Sequence, residues 1–273
     1  MGNRENMDTQ SRNIKQPTLS DLESLARQAG KILLERFGRE HQVNYKGEYD
    51  LATEADHASE EFLVRQIRER FPEDPIVTEE RGSLSGSSAN GWFTDPLDGT
   101  LNFAHGVPIY SVSIGYARDG ILQMGAVYDP SRDECFTAER GRGAWRNGSP
   151  IHVSSTQDLA RSLLVTGFPH NLASRQKNNN MENFSRLEMR TQAVRRMGSA
   201  ALDFCWVAAG AFDGFWEIEL SPWDLAAGTL IAAEAGALVT DLAGDPDFFR
   251  PPYAVLAASP AIHPQMVAAL QER

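Results

Sequence analysis

The residues of this 273-residue chain best able to do chemistry are grouped in short acidic motifs. The fullest runs Trp92-Phe93-Thr94-Asp95-Pro96-Leu97-Asp98-Gly99-Thr100-Leu101-Asn102-Phe103. An apolar strand delivers Asp95 at its end, and Asp98 follows after a turn. Two carboxylates held this near each other repel unless a cation or a proton neutralises one. Hard oxygen donors on a tight turn suit Mg²⁺, which takes few protein carboxylates and keeps several waters. Pro96 presets the turn by fixing φ, Gly99 admits a close backbone approach, and Thr100 adds a hydroxyl. By itself the segment reads equally well as an Asp-Pro and Asp-Gly surface turn.

Four further segments add candidates. Val77-Thr78-Glu79-Glu80 places two acids after a buried strand, where a solvated strand end is the simpler reading. Glu217-Ile218-Glu219-Leu220-Ser221-Pro222-Trp223-Asp224 puts Asp224 near the start of a small-residue helix, as a ligand or as a first-turn acid. Glu217 sits on an apolar strand, where a lone buried carboxylate is costly, so a partner or polar pocket is expected. Gly198-Ser199-Ala200-Ala201 runs from a strand into a helix whose first N–H groups can bind an anion, although a plain cap at Ser199 explains it more simply. Lys46 and Asp56 flank a polar loop that enters a second helix, with Thr53 as its cap.

These residues need elements to hold them. An apolar stripe predicts a helix over Ser20–Phe37, capped by Ser20 with Glu23 and stopped by Gly38. A second helix is expected from Thr53 or Glu54 to Arg70, ended by Pro72. Strands follow at Pro75–Thr78 and Gly91–Thr94, separated by a Ser- and Gly-rich surface loop at Arg81–Asn90, expected to be mobile without metal. Tyr110–Ala117 and Ile121–Tyr128 flank Asp119-Gly120 as a hairpin, and Glu134–Ala138 continues the meander. In the second half, strands at 163–166, 194–197, 212–219, 237–241 and 253–258 alternate with helices at 178–189, 199–209, 223–235 and 264–271. The expected class is α/β, with a disordered leader at 1–17, an α+β half over 18–152 and an α/β half over 153–273.

Bulk features close other routes. Lys plus Arg is 26 and Asp plus Glu is 37, a net charge of −11, which argues against nucleic acid or an anionic membrane as partner. Cys135 and Cys205 form no CxxC pair and the six histidines are scattered, which disfavours zinc or a disulfide framework. No apolar export segment or spanning run is visible, so a cytoplasmic location is expected. GxSxG, GxxxxGK and GxGxxG motifs are absent from the sequence. The spacing of Asp95 and Asp98 is not that of the DxDGT aspartyl-phosphate phosphatases.

Glu79-Glu80, Asp95 to Phe103 and Trp223 to Gly228, in this order, resemble the signatures of the inositol monophosphatase family of Mg²⁺-dependent, lithium-sensitive phosphomonoesterases. The likeness extends from about Ser20 to the C-terminus. It implies a layered αβαβα sandwich shared with fructose-1,6-bisphosphatases. It also implies two or three Mg²⁺ ions, one held by Glu79, Asp95 and the Leu97 carbonyl, a second by Asp95, Asp98 and Asp224, and a third near Glu79. Glu79 and Thr100, with Asp98, would serve catalysis by direct in-line attack of a metal-activated water. Gly99 and Thr100 would meet the phosphate, Gly198, Ser199, Ala200 and Asp224 would line the substrate site, and Glu217 would accept a substrate hydroxyl. Lys46, Asp56 and Glu80 would support the metal ligands. The implied substrate is inositol-1-phosphate, and the implied assembly is a homodimer. Fructose-1,6-bisphosphate, 3'-phosphoadenosine 5'-phosphate or histidinol phosphate is the alternative substrate, and a regulatory binding protein that keeps the fold is the rival class.

Overall fold

The computed structural model describes residues 16–39, 43–45, 51–86, 90–169 and 180–272. Helix α1 spans Leu19–Leu34. Its cap is Thr18 with Asp21, not Ser20 with Glu23: the Thr18 Oγ1 accepts from Asp21 N at 3.2 Å and Asp21 Oδ2 accepts from Thr18 N at 2.9 Å. Leu22, Leu25, Ala26, Ala29 and Leu33 form its buried stripe. The helix stops before Gly38, which lies beyond it with φ at +74°. Strands β1 (Val43–Tyr45) and β2 (Leu51–Thr53) pair antiparallel ahead of helix α2 (Glu54–Arg70). Thr53 caps α2 as expected, in a reciprocal box with Asp56.

An eight-stranded sheet follows. Its strands are β3 (Ile76–Thr78), β4 (Gly82–Leu84), β5 (Gly91–Asp98), β6 (Ser111–Arg118), β7 (Ile121–Asp129), β8 (Glu134–Glu139), β9 (Gly143–Arg146) and β10 (Ser149–Pro150). Their spatial order is β10-β9-β8-β7-β6-β5-β3-β4, and only the β3–β5 pair is parallel. The expected 81–90 loop is a strand over part of its length, since β4 pairs antiparallel with β3, Thr78 opposite Gly82. This is an edge strand without a buried face, so it carries no apolar alternation. Residues 87–89 lie outside the described residues.

The second sheet contains β11 (Leu163–Thr166), β12 (Ala193–Arg195), β13 (Gly214–Glu217), β14 (Leu238–Thr240) and β15 (Val255–Ala258), in the order β12-β11-β13-β15-β14. It is mixed: β11 runs parallel to β12 and β13, and β15 runs antiparallel to β13 and β14. Around it stand α4 (Met181–Glu188), α5 (Ala200–Ala208), α6 (Pro222–Glu234) and α7 (His263–Gln271), and a short α3 (Thr100–Ala104) follows β5.

Four apolar interfaces join five layers. α1 and α2 pack Leu25, Leu33 and Leu63 against Trp92, Ile114 and Tyr116 of the first sheet. On its other face, Val127 and Phe136 meet Leu202 and Ile231 of α5 and α6. The opposite sides of α5 and α6 present Phe204 and Leu225 to Val165 and Phe215 of the second sheet. Leu187 of α4 and Met266 of α7 close the far face on Trp216 and Leu256. The αβαβα order matches the expected class. No helix among the described residues is long and apolar enough to cross a membrane.

Candidate active site

In a regular strand, residues three apart point to opposite faces. Asp95 and Asp98 nevertheless line one cavity. The cause is a bulge: Asp95 pairs with Ser113 and Asp98 with Ser111, so Pro96 and Leu97 form extra length on β5. Pro96 has no N–H for the ladder, and its carbonyl accepts from the buried Ser59 hydroxyl at 2.8 Å. The expected turn is therefore a bulge inside a strand that continues to Asp98.

The start of α5 grips Asp98. The Ser199 hydroxyl donates to Asp98 Oδ2. Ala201 N donates to the same oxygen at 3.0 Å, and Ala200 N donates to Oδ1 at 3.1 Å. Ser111 donates from the neighbouring strand at 3.1 Å. Ser199 occupies the cap position but makes no side-chain bond to its own helix. The anion at this helix start is thus a side chain of the protein, contrary to the plain-cap reading.

Gly99 follows with φ at +89°, and a Cβ there would lie 2.9 Å from the Ile109 carbonyl oxygen and 3.1 Å from that of Gly198. Both the left-handed backbone and the close approach require glycine. Thr100 begins α3, with its hydroxyl 2.9 Å from the Leu97 carbonyl and 3.1 Å from Asp56 Oδ1. Asp56 is fully buried, and its other oxygen takes the Thr53 cap bonds. On α6, Asp224 Oδ2 accepts from Ser221 N at 2.7 Å, so this residue is both a first-turn acid and a cavity wall.

Glu79 lines the cavity, whereas Glu80 is not among its lining residues and donates its backbone N–H to a second acid, Glu60. Glu60 is fully buried on α2. Its Oε1 accepts from the Thr78 hydroxyl and from the backbone N–H of Glu80 and Arg81 at 2.9, 3.2 and 3.0 Å. Arg81 Nε lies 2.9 Å from its Oε2. Sequence reasoning missed Glu60, although it sets the turn that presents Glu79. Asn102 was missed too: its Nδ2 lies within hydrogen-bond distance of the carbonyls of Ile109, Met197 and Gly198, tying α3 to the second half.

The cavity measures about 550 Å³. Glu79, Asp95, Asp98, Gly99, Thr100 and Asp224 line it together with Arg196, Gly198, Ser199, Ala200, Asp203 and Glu217. Burial holds the Asp95 carboxyl well above the usual range, and Glu79, Asp98 and Asp224 push it further. Asp224 is raised for the same reasons. Asp98 is raised by burial, against the pull of its donors. Burial lifts Glu217 from 4.5 to about 8, with Asp98 adding to the rise and Arg196 opposing it.

This donor set fits a hard divalent cation. The ligating candidates are all oxygen, and the repulsion that lifts Asp95 and Asp224 is what a bound cation relieves. Among the described residues no three acidic, histidine or cysteine side chains are already drawn into a closed metal cage. The fit lies in donor chemistry and burial, not in a preassembled shell. Lys46 lies outside the described residues.

Comparisons with known proteins follow the same lines. The model of the inositol monophosphatase family matches residues 15–273. An inositol-1-monophosphatase from Mesorhizobium japonicum is 40% identical over 225 residues, 81% of this chain and 84% of its own. A Nus factor SuhB from Pasteurella multocida is 42% identical over 245 residues, 89% of this chain and 91% of its own. The solved inositol monophosphatase of Anabaena (Nostoc) sp. superposes with a TM-score of 0.83 at 40% identity, covering 92% of this chain and 94% of that one.

Proposed function

The chain belongs to the inositol monophosphatase family, and from that premise we propose that it is a Mg²⁺-dependent phosphomonoesterase acting on inositol-1-phosphate. The observation that carries the reading is that Glu79, Asp95, Asp98 and Asp224 line one cavity with Glu217, close enough that, beyond burial, the other three of these four raise the Asp95 carboxyl. Asp95, Asp98, Asp224 and Glu79, with the Leu97 carbonyl, would hold the cations. When bound, these neutralise the phosphate, acidify water and stabilise the leaving oxygen.

The protein's own groups do the positioning. Asp98 is locked by four donors, so its carboxylate cannot swing away from the bulge. The Thr100 hydroxyl, held between the Leu97 carbonyl and Asp56, orients the attacking water together with Glu79. The Gly99 and Thr100 amides would receive phosphate oxygens. Glu217 keeps an acceptor oxygen for a hydroxyl of the alcohol, which favours a polyol monophosphate.

Asp95→Asn tests the reading. It should lower Mg²⁺-dependent hydrolysis of inositol-1-phosphate by about 100-fold or more, since even residues that only support metal ligands cost ~10–100-fold. Circular dichroism should show the fold retained. Full hydrolysis by the parent protein in EDTA would sink the proposal. The second reading, a regulatory binding role on the same fold, draws on the relatives named Nus factor SuhB. Folded protein with no turnover of any phosphate monoester would favour it. A homodimer belongs to the same proposal, and light scattering should give twice the 30.1 kDa chain mass.

A further inference from the structure

Asp203 stands apart from the other buried acids. It is 1% exposed, and its Oδ1 has no hydrogen-bond partner among the described residues. Elsewhere such acids are met by donors. Glu60 takes the Thr78 hydroxyl, Asp74 the Trp92 indole, Asp129 the Ser131 and Arg132 amides, and Asp213 the Leu163 amide. A buried acceptor left unmatched costs about 1–3 kcal/mol, so each instance calls for a reason.

Its location supplies one. Asp203 is four residues after Ser199 on α5, hence on the same helix face, and it lines the cavity with Glu217. Glu217 is 8% exposed, its carboxylate packs over the Gly167 backbone, and no hydrogen bond reaches it among the described residues. The two acids thus present to the cavity acceptors that no hydrogen bond reaches among the described residues, although Arg196 lines the same cavity. The charges acting on Asp203 are those of Glu217 and Asp98, both of like sign, which with burial hold its carboxyl well above the usual range. Ionised or protonated, such a carboxyl keeps an acceptor oxygen, which matches a hydroxyl group.

We infer that Asp203 is a specificity-determining residue, which with Glu217 accepts hydrogen bonds from hydroxyl groups on the alcohol portion of the substrate. The inference rests on the phosphomonoesterase reading above and extends it to a residue outside the metal-binding motifs. It explains why an acid is kept where an isosteric leucine would fill the same space without an unmatched acceptor.

Steady-state kinetics with Mg²⁺ on three esters tests it: inositol-1-phosphate, phenyl phosphate, which has no hydroxyl on its leaving group, and aminoethyl phosphate, whose alcohol portion carries an ammonium group. In Asp203→Leu, the ratio of kcat/KM for inositol-1-phosphate to that for phenyl phosphate should fall at least about tenfold, the scale by which sites built for a hydroxyl reject its absence. Asp203→Asn, which keeps one acceptor oxygen, should fall less, and it serves as the test if the leucine variant does not fold. The Tm of Asp203→Leu should not drop, because no protein donor loses its partner.

An unchanged ratio overturns the inference while leaving the phosphatase reading intact. So does a loss confined to aminoethyl phosphate, which would assign the two acids to a cation. A parent protein that cleaves none of the esters with Mg²⁺ overturns both.

Discussion

Glu217 shows what burial does to one carboxyl and how that can be measured. Its value rises from 4.5 to about 8. Below the lower value, folded and unfolded chains both hold the proton, and the group does not affect stability. Between the two values the unfolded chain releases the proton while the folded chain keeps it, so stability falls as pH rises through that window. Glu217→Gln removes the effect. In EDTA-treated protein the variant should gain stability over the parent as pH goes from about 5 to about 8, by more than about 1 kcal/mol, the worth of one pKa unit. Denaturant titrations at the two pH values check this, and a constant gap would refute it. At this scale the sequence was readable where a residue's own neighbours announced it. Asp95 and Asp98 stand in a dense motif, and Asp224 follows Ser221-Pro222 at a helix start. Glu60 and Asp203 were not readable, because each lies on an ordinary helix and gains its role from partners outside its own segment, and Asn102, though inside the motif, ties to Met197 95 positions away.

Between residues and the whole lie the elements, and here the helix starts matter most. Ser199 belongs to α5 by position but to Asp98 by bonding. Ser199→Ala should cost about 1.5–3 kcal/mol, the usual contribution of a hydrogen bond to a charged group. It should also lower kcat/KM, because Asp98 then keeps Ser111 and two amides alone as donors. Thermal melting and kinetics on the same variant check both effects, and an unaltered Tm would remove the argument. The periodic stripe of α1 was legible, yet its cap was read at Ser20 when Thr18 holds it. Two polar residues on either side of Leu19 give nearly the same local signal, and packing decides which of them is already helical. The bulge in β5 was hidden for a related reason: Pro96 signals an interrupted ladder, but a turn and a bulge satisfy that signal equally.

For the whole molecule, α5 and α6 form the shared middle layer, so the two sheets should unfold together. Helix α6 packs closely on the first sheet where β6 and β7 carry glycine. A Cβ at Gly115 would stand 2.6 Å from the Ala226 Cβ, and one at Gly125 would stand 3.0 Å from the Ala227 Cα. Gly115→Val should therefore cost at least about 1–3 kcal/mol by overpacking. The loss should appear as one lowered transition reported alike by tryptophan fluorescence and far-ultraviolet circular dichroism, and separate transitions would contradict the shared layer. The net charge of −11 also changes meaning at this scale. Most acids coat the surface, but several converge at the cavity, where a bound cation and not the chain average sets the local field.

By itself the sequence determined the α/β class, the acidic motifs and their order, since periodicity and short-range spacing are properties of neighbouring residues. It also left room for a cation over an anionic partner. Only the tertiary structure decided which acids meet. A strand shows two faces, and the bulge at Pro96 and Leu97 is what turns Asp95 and Asp98 toward one cavity. Contacts such as Ser199 with Asp98 join residues 101 positions apart. No local pattern encodes such a pair; it exists because the middle helices bring the ends of two sheets together.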